Sequence, residues 1–230
     1  MDTLFVIPAR GGSKGIPGKN IKLLNGKPLI QYSIDYALQF VPASQICVST
    51  DSTDIVEVAE ACGIPVNFIR PGQLASDHSG TYEVLMHALE HHQPGKEWKK
   101  LVLLQPTSPF RERRNLEEAI AEMSDDLDMV VSVSLSKNNP YFNLFEEDKE
   151  GFLQVSKKTE GITRRQDAPE VYAYNGSIYV IRVGAFFEYP GFASFQKIRK
   201  YVMEPEYSVD LDTPRDWAFA EFLFTQEFLH

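Results

Sequence analysis

The sequence predicts an α/β fold: a doubly wound, mostly parallel sheet with helices on both faces. Three observations carry that expectation. Short apolar runs such as "TLFVIPA", "ICVS", "KLVLLQ" and "MVVSVS" punctuate the chain, and strands buried on both faces read this way. Between them stand segments with apolar residues at helical spacing, which is the βαβα alternation of such sheets. The first run opens into a loop rich in glycine and cations, "RGGSKGIPGKN", and ligands in these folds sit beyond the carboxyl ends of the strands.

Taken in order, "TLFVIPA" is the first strand. "PLIQYSIDYALQF" is a helix, with Leu29, Ile30, Ile34, Ala37 and Leu38 on one side and Pro28 suited to its first turn. "ICVS" is the second strand. "TDIVEVAEAC" is a helix closed by Gly63, a residue that takes the left-handed conformation at no steric cost. "VNFI" is expected to be a strand, Tyr82 to His91 a helix, "KLVLLQ" a strand, Asn115 to Met123 a helix and "MVVSVS" a strand. From Leu135 to Tyr174 turn formers and charges break the rhythm, so this segment is an excursion from the main sheet. "GSIYVIRV" then resumes it. "YSVDLD" is expected to be a short strand and "TPRDWAFAEFLFTQEF" the last helix. Thr213 fits its N-cap, Pro214 its first turn and Asp216 the reciprocal third position.

The 230 residues suit one domain, residues 1–230, and 43% hydrophobic with 24% charged residues is ordinary for a globular protein. A formal charge of −9 argues against nonspecific binding to nucleic acid or an anionic membrane. No apolar run is long enough to span a bilayer, and the start lacks the basic and long apolar regions of a signal peptide. The two cysteines, Cys47 and Cys62, read as thiols in a reducing compartment, so a cytoplasmic location is expected. Positive charge must therefore be local, and Arg10, Lys14 and Lys19 gather it in the opening loop.

That loop is not a P-loop. Gly18-Lys19 is followed by Asn20 where Ser or Thr is needed, and Ser13 stands where the first glycine belongs. The dinucleotide pattern Gly-x-Gly-x-x-Gly is missing too. What remains is a strand end, glycines that let backbone N–H groups approach an anion, and three cations.

Asp210 and Asp212 form a second constellation. At i and i+2 of a strand they point to one face, and two hard carboxylates suit Mg²⁺, which also takes substrate phosphates. The plainer reading of Asp212 is a counter-charge for the helix behind it. His87 and His91, four apart on a helix with His92 beside them, have zinc-like spacing. No Glu follows His87, so a partly exposed helix face is the better reading.

The string "PARGGSKGIPGKN", Pro8 to Asn20, resembles the start of the acylneuraminate cytidylyltransferases, the CMP-sialic acid synthetases. "RPGQLASD" (Arg70 to Asp77), "LLQPTSPFR" (Leu103 to Arg111), "NGSIYV" (Asn175 to Val180) and "SVDLDT" (Ser208 to Thr213) match the same family in order. The resemblance implies a nucleotide-diphospho-sugar transferase-like fold. It also implies a reaction in which the anomeric hydroxyl of a nonulosonic acid attacks the α-phosphate of CTP and pyrophosphate leaves. Such phosphoryl transfer needs positioning and charge neutralisation. By resemblance Arg10, Lys19 and Asp210 are catalytic. Ala9, Arg10, Gly11, Ser13, Lys14, Lys19, Asn20, Arg70, Asp77, Ser79 and Thr81 bind the nucleotide. Gln105, Arg165, Asn175 and Tyr179 bind the sugar, and Asp210 with Asp212 holds Mg²⁺. Residues 135–174 are expected to be a lid or the contact of a homodimer. For Arg111, Arg113 and Arg114 a solvated helix entrance and a role at the sugar carboxylate stay equally open.

One departure matters. Many relatives carry arginine two residues before the Asn-Gly pair, and here that residue is Ala173. Arg164 or Arg165 is the candidate replacement. The sugar stays open among N-acetylneuraminate, legionaminate and related acids. The rivals are a 3-deoxy-manno-octulosonate cytidylyltransferase, a glycosyltransferase of similar build, and a nucleotide-binding regulator without turnover.

Overall fold

The structure, a computed structural model, describes residues 2–76, 79–93, 95–158 and 161–226. Within them the strands are β1 (Thr3–Pro8), β2 (Leu23–Leu24), β3 (Lys27–Pro28), β4 (Ile46–Ser49), β5 (Lys100–Leu104), β6 (Met129–Leu135), β7 (Phe145–Glu147), β8 (Leu153–Val155), β9 (Tyr172–Arg182) and β10 (Ile198–Val202). The helices are α1 (Leu29–Leu38), α2 (Thr53–Ala61), α3 (Thr81–His91), α4 (Arg113–Ala121), α5 (Ala185–Glu188) and α6 (Pro214–Thr225). Six strands form one sheet in the order β10-β6-β9-β5-β1-β4. β9 runs antiparallel to both neighbours and the other pairings are parallel. The mixed but mostly parallel sheet is the predicted fold class.

Alternation along β1 explains the layers. Phe5 and Ile7 face a cluster with Ile30, Ile34, Ile55 and Leu116, from α1, α2 and α4. Leu4 and Val6 face the other cluster, with Leu85 and Ala88 of α3 and with Phe186 and Phe195. A period of two places successive side chains on opposite faces, so both sheet surfaces are covered. A third cluster joins Ile16 of the opening loop to Leu211 and to Trp217, Ala220 and Leu223 of α6. α6 begins as predicted: Thr213 accepts from the Asp216 N–H, and the Asp216 carboxylate accepts from the Thr213 N–H.

Two expected strands are corrected. "VNFI" forms no strand; its run from Ile64 to Arg70 is irregular. It passes the sheet edge, with Phe68 packed on the second cluster and the Arg70 N–H donating to Thr50. "YSVDLD" is not a strand either. A short 3-10 turn, Pro205–Tyr207, leads into irregular backbone, because Leu211 is drawn into the third cluster instead of a ladder. The excursion holds a small hairpin, β7 with β8. No described helix is long and apolar enough to cross a membrane.

Candidate active site

β1 ends at the opening loop, and the loop is tied down along its length. The Ala9 N–H donates to Ser49 O (2.9 Å) and the Gly11 N–H to Asp51 Oδ1 (3.0 Å). Asn20 Nδ2 donates to Arg10 O (2.9 Å). Ile16 is buried in the third cluster. Lys19 is buried as well, and its Nζ donates to Leu211 O (2.6 Å) and to Asp212 Oδ1 (3.0 Å). Gly15 passes so close that a Cβ there would stand 2.1 Å from Asp212 O, so only glycine fits. Gly18 has φ +62°, a conformation that favours glycine.

These contacts frame a cleft of about 420 Å³ beyond the carboxyl ends of β1 and β5. The loop lends it Arg10, Ser13, Lys14, Lys19 and Asn20. Arg70, Ser79 and Thr81 line a second wall, and Thr81 opens α3. Gln105 and Thr107 follow β5, and Asp210 and Asp212 close the third side. Leu211 between them is fully buried, so one apolar anchor leaves a carboxylate on each side of it at the cleft.

The site is electrostatically prepared. Asp210 lies above the usual carboxylate range, first because protein surrounds it and then because Asp212 adds like charge; a Thr107 hydrogen bond and Lys19 oppose the rise. Arg70 is 4% exposed, and its Nε and Nη2 have no hydrogen-bond partner. Burial holds its guanidinium below the usual arginine range, against the pull of Asp51. Burial also lowers Arg111 to about 10, and the Tyr36 and Asp210 charges oppose this. Arg111 is a brace. It donates to Gln105 O (2.6 Å), Ser177 O (3.0 Å) and Ser33 Oγ (3.1 Å), joining β5, β9 and α1.

The sequence profile of the family described as Cytidylyltransferase matches residues 4–227. The chain belongs to the cytidylyltransferase family. It is 36% identical over 224 residues to a CMP-N,N'-diacetyllegionaminic acid synthase of Legionella pneumophila, covering 97% of this chain and 96% of the relative. It is 34% identical over 220 residues to an N-acylneuraminate cytidylyltransferase of Streptococcus agalactiae, covering 94% of this chain and 52% of that longer protein. The fold matches the solved structure of a CMP-2-keto-3-deoxy-manno-octonic acid synthetase complexed with CTP, with TM-score 0.70 and 21% identity, covering 98% and 99% of the two chains.

Several expected residues of this cytidylyltransferase lie away from the cleft wall. Ala9 is buried behind the loop, and Gly11 serves through its N–H. Asp77 lies outside the described residues. All side-chain polar atoms of Asn175 are engaged: Oδ1 accepts from Ser132 Oγ (2.6 Å) and Ser177 N (3.1 Å), and Nδ2 donates to Ser208 Oγ (3.0 Å). It shapes the turn that brings Gly176, at φ +73°, against Gln105 and Asp210. Tyr179 packs edge-on to Tyr174 in the second cluster, and burial pushes its hydroxyl up to about 12. Arg165 stands in the excursion and donates to Lys137 O (2.5 Å). Lys137 and Ala173 line a separate groove, while Arg164 pairs with Asp167. Arg113 and Arg114 pair with Glu117 and with Glu112 and Glu204 at the surface.

His87 and His91 stack at 4.0 Å beside Phe68, and no group of three metal-ligating side chains exists among the described residues. Sequence reasoning missed Thr107 and Asp51. Thr107 lies two residues after Gln105 in a string already singled out, so the strand end was its signal. Asp51 had none, because its role depends on two loops that only the fold brings together.

Proposed function

We propose that this cytidylyltransferase moves CMP from CTP onto the anomeric hydroxyl of a nonulosonic acid and releases pyrophosphate. One observation carries the reading. The cationic loop and the aspartate pair, joined by a Lys19–Leu211 bond across 192 residues, line the same cleft. The two relatives described above are synthases of CMP-activated legionaminate and acylneuraminate, both nonulosonic acids.

Arg10, Lys14 and Lys19 supply positive charge for the triphosphate and for the pyrophosphate as it departs. Charge aimed at where charge develops is the main catalytic resource of phosphoryl transfer. Arg70, which lines the cleft, places a cation beside the proposed cytidine position. Ser79 and Thr81 border the same wall. Gln105 at the end of β5 faces the sugar side, where Gly176 leaves room beside Asp210.

Two hard carboxylates in one cleft fit Mg²⁺, with substrate phosphates and water completing its shell. Asp210 and Asp212 would hold it, and when bound it would neutralise charge near the α-phosphate. Asp212 already shares its carboxylate with Lys19, so the lysine keeps the aspartate oriented and partly neutralised before any ligand arrives. Two free thiols, Cys47 and Cys62, suit a cytoplasmic enzyme.

The proposed assembly is a homodimer. Leu135, Leu144, Phe145, Phe152, Leu153 and Tyr174 are large, apolar and exposed, and all belong to the excursion or its borders. Apolar side chains concentrated in one surface segment mark an interaction surface.

The test is an assay of pyrophosphate release with CTP, Mg²⁺ and a panel of nine-carbon sugar acids, with 3-deoxy-manno-octulosonate as an eight-carbon control. CTP-dependent release with a nine-carbon acid is expected. Release of a nucleoside mono- or diphosphate instead would indicate a glycosyltransferase. Tight CTP binding without turnover on any acid would indicate a regulator, and either result overturns the proposal.

A further inference from the structure

We infer that Asp51 is a positioning residue that holds the two nucleotide walls, the opening loop and Arg70, in register. The inference rests on the reading that the cleft binds CTP. Asp51 follows β4, and its Oδ1 accepts from the Gly11 N–H at 3.0 Å. The same oxygen lies 3.6 Å from Arg70 Nη2, a charge contact longer than a hydrogen bond.

The backbone around Asp51 repeats the pattern. Ser49 O accepts from the Ala9 N–H (2.9 Å), and Thr50 O accepts from the Arg70 N–H (2.7 Å). The end of β4 and the two residues after it are therefore a hub for both walls. The loop is pressed against it so closely that a Cβ on Gly11 would stand 2.9 Å from Ser52 Cβ. Arg70 needs such a hub. Its guanidinium is buried with two nitrogens unbonded, and a buried cation without a counter-charge is strongly disfavoured. Asp51 supplies the charge without consuming those donors. Arg70 thus stays charged at the cleft wall that it lines. Asp51 itself is not among the residues lining the cleft, so it acts through Arg70 and Gly11.

A double-mutant cycle tests this. Asp51→Asn keeps an acceptor for the Gly11 N–H and removes the charge opposite Arg70. In the native background it is expected to weaken CTP binding about tenfold, the scale of a close coupled pair. The loss should appear in the KM for CTP, with kcat at saturating CTP kept within about twofold. In an Arg70→Gln background the same change is expected to cost less than about twofold. Arg70→Lys is the alternative background if the glutamine variant does not fold by circular dichroism. Asp51→Glu is expected to recover part of the affinity. Equal losses in both backgrounds, or unchanged CTP affinity in Asp51→Asn, would overturn the inference. If the native protein binds no CTP, the proposed function fails first, and calorimetric titration of the native protein separates the two outcomes.

Discussion

Asp212 is touched twice by the opening loop: its carboxylate by Lys19 and its backbone carbonyl by Gly15. Asp210, two residues away, leans on Thr107. Their side chains face the cleft and carry little of the fold. Asp210→Ala and Asp212→Ala are each expected to lower kcat at least about a hundredfold. Asp210→Ala should change stability by less than about 1 kcal/mol, whereas Asp212→Ala takes the paired carboxylate from buried Lys19, which keeps only the Leu211 carbonyl, and should cost more. Near-normal turnover at saturating Mg²⁺ would remove the pair from the proposed metal site. The sequence pointed to both aspartates, but for a geometric reason that does not hold. They share the cleft because Leu211 is pulled inward, not because a strand alternates. The loop cations were legible from composition alone, since an acidic chain had gathered them in one place. Asn175 was legible as a motif, but its own hydrogen bonds occupy its amide.

β6 and β9 meet across an irregularity. Val131 pairs with Tyr179 and Val133 with Tyr174, so residues 175 to 178 oppose Ser132 alone. Ser132 Oγ holds this bulge together, donating to Asn175 Oδ1 (2.6 Å) and accepting from Ile178 N (2.7 Å). Ser132→Ala leaves the Ile178 N–H unmet in a buried site, while Asn175 Oδ1 keeps the Ser177 N–H, and is expected to cost about 1–3 kcal/mol. A lower urea midpoint at constant m-value would register it. At the end of α3, His92 is buried against Ser44 O, and burial depresses its ring below the usual histidine range. His87, lowered by burial and by His91, behaves likewise. A base whose folded pKa is depressed gives stability that is full above its unfolded pKa, about 6.5, and is lost as pH falls below it. The thermal midpoint is therefore expected to fall from pH 7.5 to 5.5, and to fall less in His92→Gln; equal falls would exclude His92 as the source. Strands buried on both faces were legible because their apolar runs are continuous. β10, "IRKYV", escaped because it is a charged, exposed edge, as edge strands often are. "VNFI" misled because a short apolar run can bury its side chains without joining a ladder.

At the scale of the whole molecule, the excursion was legible only as a break in rhythm. Its hairpin is short and its apolar residues face outward, so the sequence contains no core pattern from which to infer its shape. If it forms the proposed homodimer contact, Phe152→Glu with Leu153→Glu, at positions 63% and 68% exposed, is expected to yield a folded monomer by sedimentation velocity. A native protein that already sediments as a monomer at micromolar concentration would refute the dimer. The fold class itself was accessible because it follows from alternation along the chain, whereas the site depends on contacts between distant segments.

The bond from Lys19 to Leu211 also has a consequence in time. During synthesis the loop leaves the ribosome 192 positions before its acceptor. Until α6 docks, Ile16 lacks its Leu211 and Trp217 neighbours, and Lys19 lacks its carbonyl and carboxylate acceptors. The candidate cleft is thus the seam where the opening loop meets the segment around Leu211. A nascent chain that has not yet presented Leu211 would have most of the sheet yet an unfinished cleft, which ties the proposed nucleotide capture to the docking of α6.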